Sequence, residues 1–209
     1  MNNDWRDGFL FVGNQLSLDF LNTRPVVDGA PVELLPDCAS LARWLKAAGL
    51  VSAREAKRLE KSWSAQPAFV GMLREIRAFR ERLRQAVLQM EAGAAPSATF
   101  IAKVNELLSD HPYIDEVVQT DSGLARGKRF DPQCPLDVFA PVMDSVATLL
   151  TMPSKSRLRK CGSCVLHFYD TSKKGTRRWC SMNLCGNRLK VAAYGRRKRA
   201  ELGHRGAGR

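Results

Sequence analysis

Four cysteines near the C-terminus constrain the fold of this chain more than any other feature. Cys161 and Cys164 are separated by two residues. Cys180 and Cys185 follow after fifteen intervening residues and are separated by four. Two close cysteine pairs joined by a loop of this size supply the four thiolates of a tetrahedral zinc site. The spacing therefore predicts a structural Zn²⁺ held by these cysteines, and His167 is the one alternative ligand nearby.

Positive charge is concentrated in the same part of the chain. Residues 154–209 carry 16 lysines and arginines against 2 acidic residues, a net charge of +14, whereas residues 1–153 carry a net charge of −2. Four thiolates around Zn²⁺ would remove about two charges and leave the segment strongly cationic. Such a segment predicts contact with nucleic acid or with another acidic surface.

The length and composition favour one medium-sized domain followed by a small module. The chain has 209 residues and is 44% hydrophobic, which is enough for a packed core. We expect a cytoplasmic protein with no membrane segment, because no apolar run reaches about 20 residues and the N-terminus lacks a signal-peptide pattern. The composition changes after Pro153. We therefore predict a helical domain over residues 1–153, a zinc finger over 154–203 and a disordered tail over 204–209.

Local signals predict a mainly helical (α+β) N-terminal domain. Asp37 is expected to cap a helix that stops at Gly49, and Ser52 and Glu55 have the spacing of a capping box. A short strand over residues 9–13 is expected to lead into a helix capped by Asn14. Further predicted elements are a long helix over residues 67–93, a helix over 96–109, a β-hairpin over 113–130 and a helix from residue 135.

The finger is expected to have its own order of elements. Residues 165–169 and 176–179 flank a turn-rich segment, which predicts a β-hairpin between the two cysteine pairs. A helical pattern follows from Leu184, with Cys185 in its first turn. A knuckle, a hairpin and a helix that carries the last ligand are together the arrangement of a treble-clef finger. A module of about 50 residues buries little core, so zinc is expected to stabilise it.

The basic residues of this module are the candidate nucleic-acid contacts. One face of the predicted helix is apolar and would pack on the hairpin, and the opposite face would meet phosphates. Trp179 is expected in the core of the finger, with base stacking as the alternative. The candidate contacts are Lys173, Lys174, Arg177, Arg178, Arg188, Lys190, Arg196, Arg197, Lys198 and Arg199.

Residues 1–153 contain no pattern typical of a catalytic site, so we do not expect an enzyme. Asp19 and Asn22 belong to a polar cluster in an otherwise apolar stretch. One interpretation is that these residues cap a helix and pack against neighbouring segments. The other is a pocket for a small-molecule effector, which would suit a regulator. The sequence does not decide whether the protein forms a homodimer through the long helix over residues 67–93.

Several motifs resemble a known pair of domains. The run Cys185-Gly186-Asn187-Arg188, together with Cys161-Gly-Ser-Cys164, resembles the CGNR zinc finger. Residues 13–23 and the run from Leu41 to Leu50 resemble the ABATE domain that usually precedes this finger. The resemblance implies a bacterial, stress-linked transcription regulator whose finger binds nucleic acid. Of the two nucleic acids we favour DNA, which the sequence itself does not distinguish from RNA. The alternative is a module that docks an acidic protein partner through its basic face.

Overall fold

The computed structural model describes residues 4–187. Within that range six α-helices combine with four two-stranded antiparallel sheets, short 3-10 turns at Pro135–Val138 and Lys155–Arg157, and a π-helical turn at Met182–Gly186. The helices are α1 (Leu16–Leu21), α2 (Cys38–Ala47), α3 (Ala53–Ser64), α4 (Phe69–Glu91), α5 (Ala98–Asp110) and α6 (Phe139–Thr151). The strands are β1 (Trp5–Arg6), β2 (Phe9–Leu10), β3 (Val26–Val27), β4 (Ala30–Pro31), β5 (Ile114–Thr120), β6 (Gly123–Arg129), β7 (Leu158–Lys160) and β8 (His167–Tyr169). The predicted mixture of helices with small sheets is confirmed.

The ends of several helices follow from local chemistry. The Asp37 carboxylate accepts the backbone N–H of Ser40 at the start of α2. Ser52 and Glu55 form the predicted capping box of α3, with each side chain accepting the other residue's backbone N–H. Gly49 follows α2 with φ +75°, a left-handed conformation that glycine adopts without strain. These predictions are confirmed.

The start of α1 differs from the sequence-based prediction. Its N-cap is Gln15, which makes no capping hydrogen bond, and the strand before it is shorter than residues 9–13. Asn14 instead has φ +58°, and its amide Nδ2 donates to the carbonyl oxygen of Tyr169 at 2.8 Å. The predicted capping role of Asn14 was wrong, because the side chain is used for a contact 155 residues away.

The helical domain and the finger share their hydrophobic cores. Leu158 and Tyr169 of the finger belong to the large core that α4 and the other helices build. Conversely, Leu10 and Val12 of the N-terminal segment pack into a second, smaller core around the cysteines of the finger. Burial of these side chains from both sides joins the two parts of the chain.

Buried hydrogen bonds join the same two parts. Asn22 on the C-terminal side of α1 is 1% exposed. Its Nδ2 donates to the carbonyl oxygen of His167 at 2.9 Å, and its Oδ1 accepts the N–H of His167 at 3.0 Å. The backbone N–H of Tyr169 donates to the carbonyl oxygen of Gly13 at 2.8 Å. Strand β8 is therefore bonded to the helical domain on its free edge.

The hairpin of the finger pairs different segments from those predicted. Strand β8 pairs with β7, which precedes the first cysteine pair, so the Cys161–Cys164 knuckle lies in the turn of that hairpin. Residues 176–179 form no strand. The prediction failed because the carboxylate of Asp170 accepts the backbone N–H groups of Ser172 and Arg177, and these bonds fold the intervening segment into a loop.

Candidate metal centre and basic surface

Three separate segments bring the four cysteines together. Cys161 and Cys164 lie in the turn between β7 and β8, where the N–H of Cys161 donates to the carbonyl oxygen of Leu166 at 2.8 Å. Cys180 follows the loop, and Cys185 lies in the turn Met182–Gly186. The Ser181 hydroxyl oxygen accepts the first free N–H groups of that turn and thereby fixes its start.

The spacing of the sulfurs fits Zn²⁺. The four Sγ atoms lie within 4.8 Å of one another. Cys180 Sγ is 3.6 Å from the sulfurs of both Cys164 and Cys185. A tetrahedral site with Zn–S bonds of about 2.3 Å has sulfurs about 3.8 Å apart. The cysteines therefore form a closed four-thiolate site for a structural zinc ion, which leaves no coordination position for a substrate.

The protonation of the cluster also favours a bound cation. Hydrogen bonds from Cys164 and Cys180 hold the pKa of Cys161 far below its usual range. The hydrogen bond to Cys161 raises the pKa of Cys164 to about 12, and the contacts with Cys161 and Cys164 raise the pKa of Cys180. The closely spaced sulfurs therefore oppose one another's ionisation. A divalent cation at the centre would stabilise the remaining thiolates.

Two glycines make room for Trp179 beside the metal centre. A Cβ atom at Gly162 would lie 2.9 Å from Cζ3 of Trp179. A Cβ atom at Gly186 would lie 2.7 Å from Sδ of Met182 and 3.3 Å from Trp179. Trp179 packs against the small core that contains the cysteines, and the Arg178 guanidinium lies 5.5 Å above its ring. The glycine of the Cys-Gly-Asn-Arg run therefore serves side-chain packing.

His167 does not join the metal ligands. Its side chain is 2% exposed, and its Nδ1 lies 2.8 Å from Oε1 of Glu91 in α4. The metal-binding cluster that the structure forms contains the cysteines alone among residues 4–187. The histidine thus packs at the junction with the helical domain, next to its backbone bonds with Asn22.

The loop between the cysteine pairs is held from inside by arginines. The Arg157 guanidinium donates to the carbonyl oxygens of Asp170 and Ser172, and Arg159 donates to that of Gly175. Burial alone would raise the pKa of Asp170. The hydrogen bonds from Ser172 and the positive charge of the neighbouring Arg159 nevertheless hold the pKa of Asp170 below its usual range. These supporting arginines were missed in the sequence, although the isolation of Asp170 as the sole acidic residue of 154–187 could have indicated them.

Arg177 is also occupied within the protein. Its guanidinium donates to the carbonyl oxygens of Trp179, Cys180 and Val12, and it lies 4.4 Å above the ring of Phe168. These bonds place Arg177 between the finger and the N-terminal segment, and contact of Arg177 with nucleic acid stays a prediction.

Other predicted contacts remain exposed. Lys173 and Lys174 lie on the outside of the loop, and Arg178 is exposed above Trp179. Within residues 4–187 these three side chains have no ion-pair partner. The remaining candidates lie outside the described residues, and they are Arg188, Lys190, Arg196, Arg197, Lys198 and Arg199.

The polar cluster of α1 divides into two roles. Asn22 uses both atoms of its amide on the backbone of His167, so it has no free group for a ligand. Asp19 is 8% exposed and accepts the N–H of Gly13 at 2.8 Å, but it also borders an open groove of about 460 Å³. The effector pocket that we predicted at these two residues is thus reduced to Asp19, where it stays a prediction.

Comparison with known families adds an independent finding. Residues 14–153 match the ABATE family, whose description is "Putative stress-induced transcription regulator", and residues 157–198 match the CGNR zinc finger. Neither is an enzyme family. No curated protein matches the sequence. Within residues 4–187, no helix is both long enough and apolar enough to cross a bilayer. The two matches span most of the chain, which therefore belongs to the ABATE family and carries a C-terminal CGNR zinc finger with its four cysteines arranged for structural zinc.

Proposed function

We propose that this protein is a transcription regulator of the bacterial cytoplasm that binds DNA through its zinc finger. Structural zinc, held by four cysteines, would fix the loop that carries Lys173 and Lys174 and the turn that leads to Arg188. The family matches support a regulatory role and a zinc finger. The step from regulator to DNA-binding protein rests on the charge of the finger.

One observation carries this step. Residues 154–187 contain eight lysines and arginines and a single acidic residue, Asp170, which is 0% exposed and hydrogen-bonded. The outer surface of the described finger therefore has no carboxylate of its own to neutralise Lys173, Lys174 and Arg178. Uncompensated positive charge on a rigid loop suits the phosphate backbone, which supplies most of the affinity of such proteins.

We also propose that the protein has no catalytic role. A zinc ion with four cysteine ligands lacks the open position that a catalytic zinc needs. Homodimerisation through α4 stays a prediction. That helix places most of its apolar residues in the core, and Val70 and Leu88 are the larger apolar residues that it exposes.

The salt dependence of DNA binding tests the proposal. Titrations of a labelled DNA duplex with the full-length, zinc-loaded protein give the slope of log K against log salt. For the double variant Lys173→Gln, Lys174→Gln we expect weaker binding and a slope reduced in magnitude by about 2, because each phosphate contact contributes roughly 0.9. The matched control is Lys57→Gln, Lys61→Gln on the exposed face of α3, which removes the same charge from the helical domain.

Two results would count against DNA binding. One is affinity that does not change with salt. The other is equal loss of affinity in the finger variant and in the α3 control. Docking of an acidic protein partner uses the same lysines and is the alternative. It would be favoured if the wild-type protein bound polyglutamate tightly, with the binding weakened in the finger variant, and did not bind the duplex.

A further inference from the structure

A cleft opens at the junction of the helical domain and the finger, away from the groove beside Asp19. Its volume is about 300 Å³. Apolar side chains form part of its wall. Two of them, Val26 and Leu88, are 40% and 38% exposed, which is high for apolar residues. The apolar side of the cleft is formed by Val26, Leu88 and Val165. The charged side is formed by Arg24, Arg84 and Lys160.

The charged side of the cleft has an excess of cations. Arg24 and Arg84 share one carboxylate, Glu81, at 3.3 Å and 3.2 Å. Lys160 is exposed and has no carboxylate partner within residues 4–187. Among the lining residues three cations therefore face one anion, and Glu91, which is bonded to His167 behind the lining, reduces the local excess to about one positive charge. Apolar surface beside uncompensated positive charge is complementary to a small molecule with an anionic group and a compact apolar body.

His167 gives the cleft a buried polar group. It lines the cleft with a side chain that is 2% exposed, and its Nδ1 is held by Glu91 at 2.8 Å. Within residues 4–187 the second ring nitrogen, Nε2, makes no hydrogen bond and is not fully enclosed by protein. A ligand in the cleft can therefore bond to Nε2 in place of water.

We propose that this cleft binds a small organic anion, a carboxylate or phosphate ester attached to a body about the size of one ring. The volume lies at the lower end of ligand pockets and fits a body of about one ring. Lys160 immediately precedes Cys161 and Val165 immediately follows Cys164. The anion therefore bridges α4 to both ends of the zinc knuckle, and its binding is coupled to the docking of the finger.

Three related probes test the chemistry. Full-length, zinc-loaded protein is titrated with benzoate, phenyl phosphate and neutral benzamide, and binding is followed by amide chemical shifts. We expect saturable binding of at least one anion, with shifts at the amides of Lys160 and Val165. Benzamide should bind about tenfold more weakly, because it keeps the ring and lacks the charge.

Variants of the cleft locate the site. Lys160→Gln should weaken anion binding about fivefold or more, whereas Lys155→Gln, which removes an exposed charge from the same finger, should not. Leu88→Glu on the exposed side of α4 places a carboxylate in the cleft and should abolish binding. Zinc content and far-ultraviolet circular dichroism verify that each variant is folded.

Three outcomes overturn the proposal. They are no binding of either anion up to about 10 mM, equal binding of benzamide, and equal effects of the Lys160 and Lys155 variants. Nucleic acid is absent from these titrations. The result is therefore independent of whether the finger binds DNA.

Discussion

Asp19 should make the protein less stable as the pH rises. The carboxyl group is 8% exposed, and burial raises its pKa from the ordinary 3.8 to about 7, although hydrogen bonds from Gly13 and Val12 and the charge of Arg6 act in the opposite direction. The N–H of Gly13 donates to Asp19, and the carbonyl oxygen of Gly13 accepts the N–H of Tyr169 in the finger. The buried carboxyl therefore supports the segment on which the finger docks.

The sign follows from proton binding. Between pH 4 and pH 7 the folded protein holds a proton on Asp19 that the unfolded chain has lost, so each rise in pH in this window favours unfolding. The shift of about three pH units corresponds to about 4 kcal/mol, which is fully felt only above pH 7. Below about pH 4 both states are protonated and the penalty vanishes.

The substitution Asp19→Asn isolates this effect. Asparagine keeps an oxygen that accepts the N–H of Gly13 and carries no charge. Urea unfolding of the zinc-loaded wild type and variant is measured from pH 5 to pH 8. Because the unfolded chain has already lost this proton at pH 5, we expect an advantage of the variant of about 1.5 kcal/mol at pH 5 that grows towards about 4 kcal/mol at pH 8. A difference that stays constant with pH, or that favours the wild type at pH 8, would refute the reasoning.

Three further substitutions test the junction and the metal centre. Asn22→Ala removes both buried hydrogen bonds to the backbone of His167 and should lower the free energy of unfolding by about 4 kcal/mol in urea titrations, because two buried groups lose their partners. A loss below about 1 kcal/mol would mean that water replaces the amide. Gly162→Ala should cost about 1–3 kcal/mol, because its Cβ would lie 2.9 Å from the rigid ring of Trp179, whereas Gly186→Ala meets the flexible end of Met182 and should cost less. Equal costs of the two substitutions would contradict this assignment.

Local features of this fold could be predicted from sequence because their partners are close along the chain. The capping box of Ser52 and Glu55 spans three residues, and the left-handed Gly49 needs only its own backbone. The cysteine ligands were also predictable, because the chemistry of zinc restricts their number and spacing. In each of these cases the sequence itself contains the whole interaction.

The junction could not be predicted in the same way. Asn22 and His167 are 145 residues apart, and both ends of their contact are ordinary polar residues in the sequence. Arg177 reaches Val12 across 165 residues, and nothing local distinguishes it from the exposed Arg178. Such contacts depend on how β8 packs against α1, which is decided by tertiary structure. Predictions of the elements within each part therefore gave no indication of these contacts.

The bonding of the finger also changes how its charge is to be interpreted. Arg157, Arg159 and Arg177 donate to backbone carbonyl oxygens, which the planar guanidinium can do with several donors at once. The lysines of the same segment stay exposed, since an ammonium group is strongly hydrated and is costly to bury. The positive charge that is free to bind phosphate is therefore smaller than the total charge of the segment. The arginines fix the loop, and the lysines on its outer side are the groups left to meet phosphate, so replacing the two kinds of residue should separate loss of folding from loss of binding.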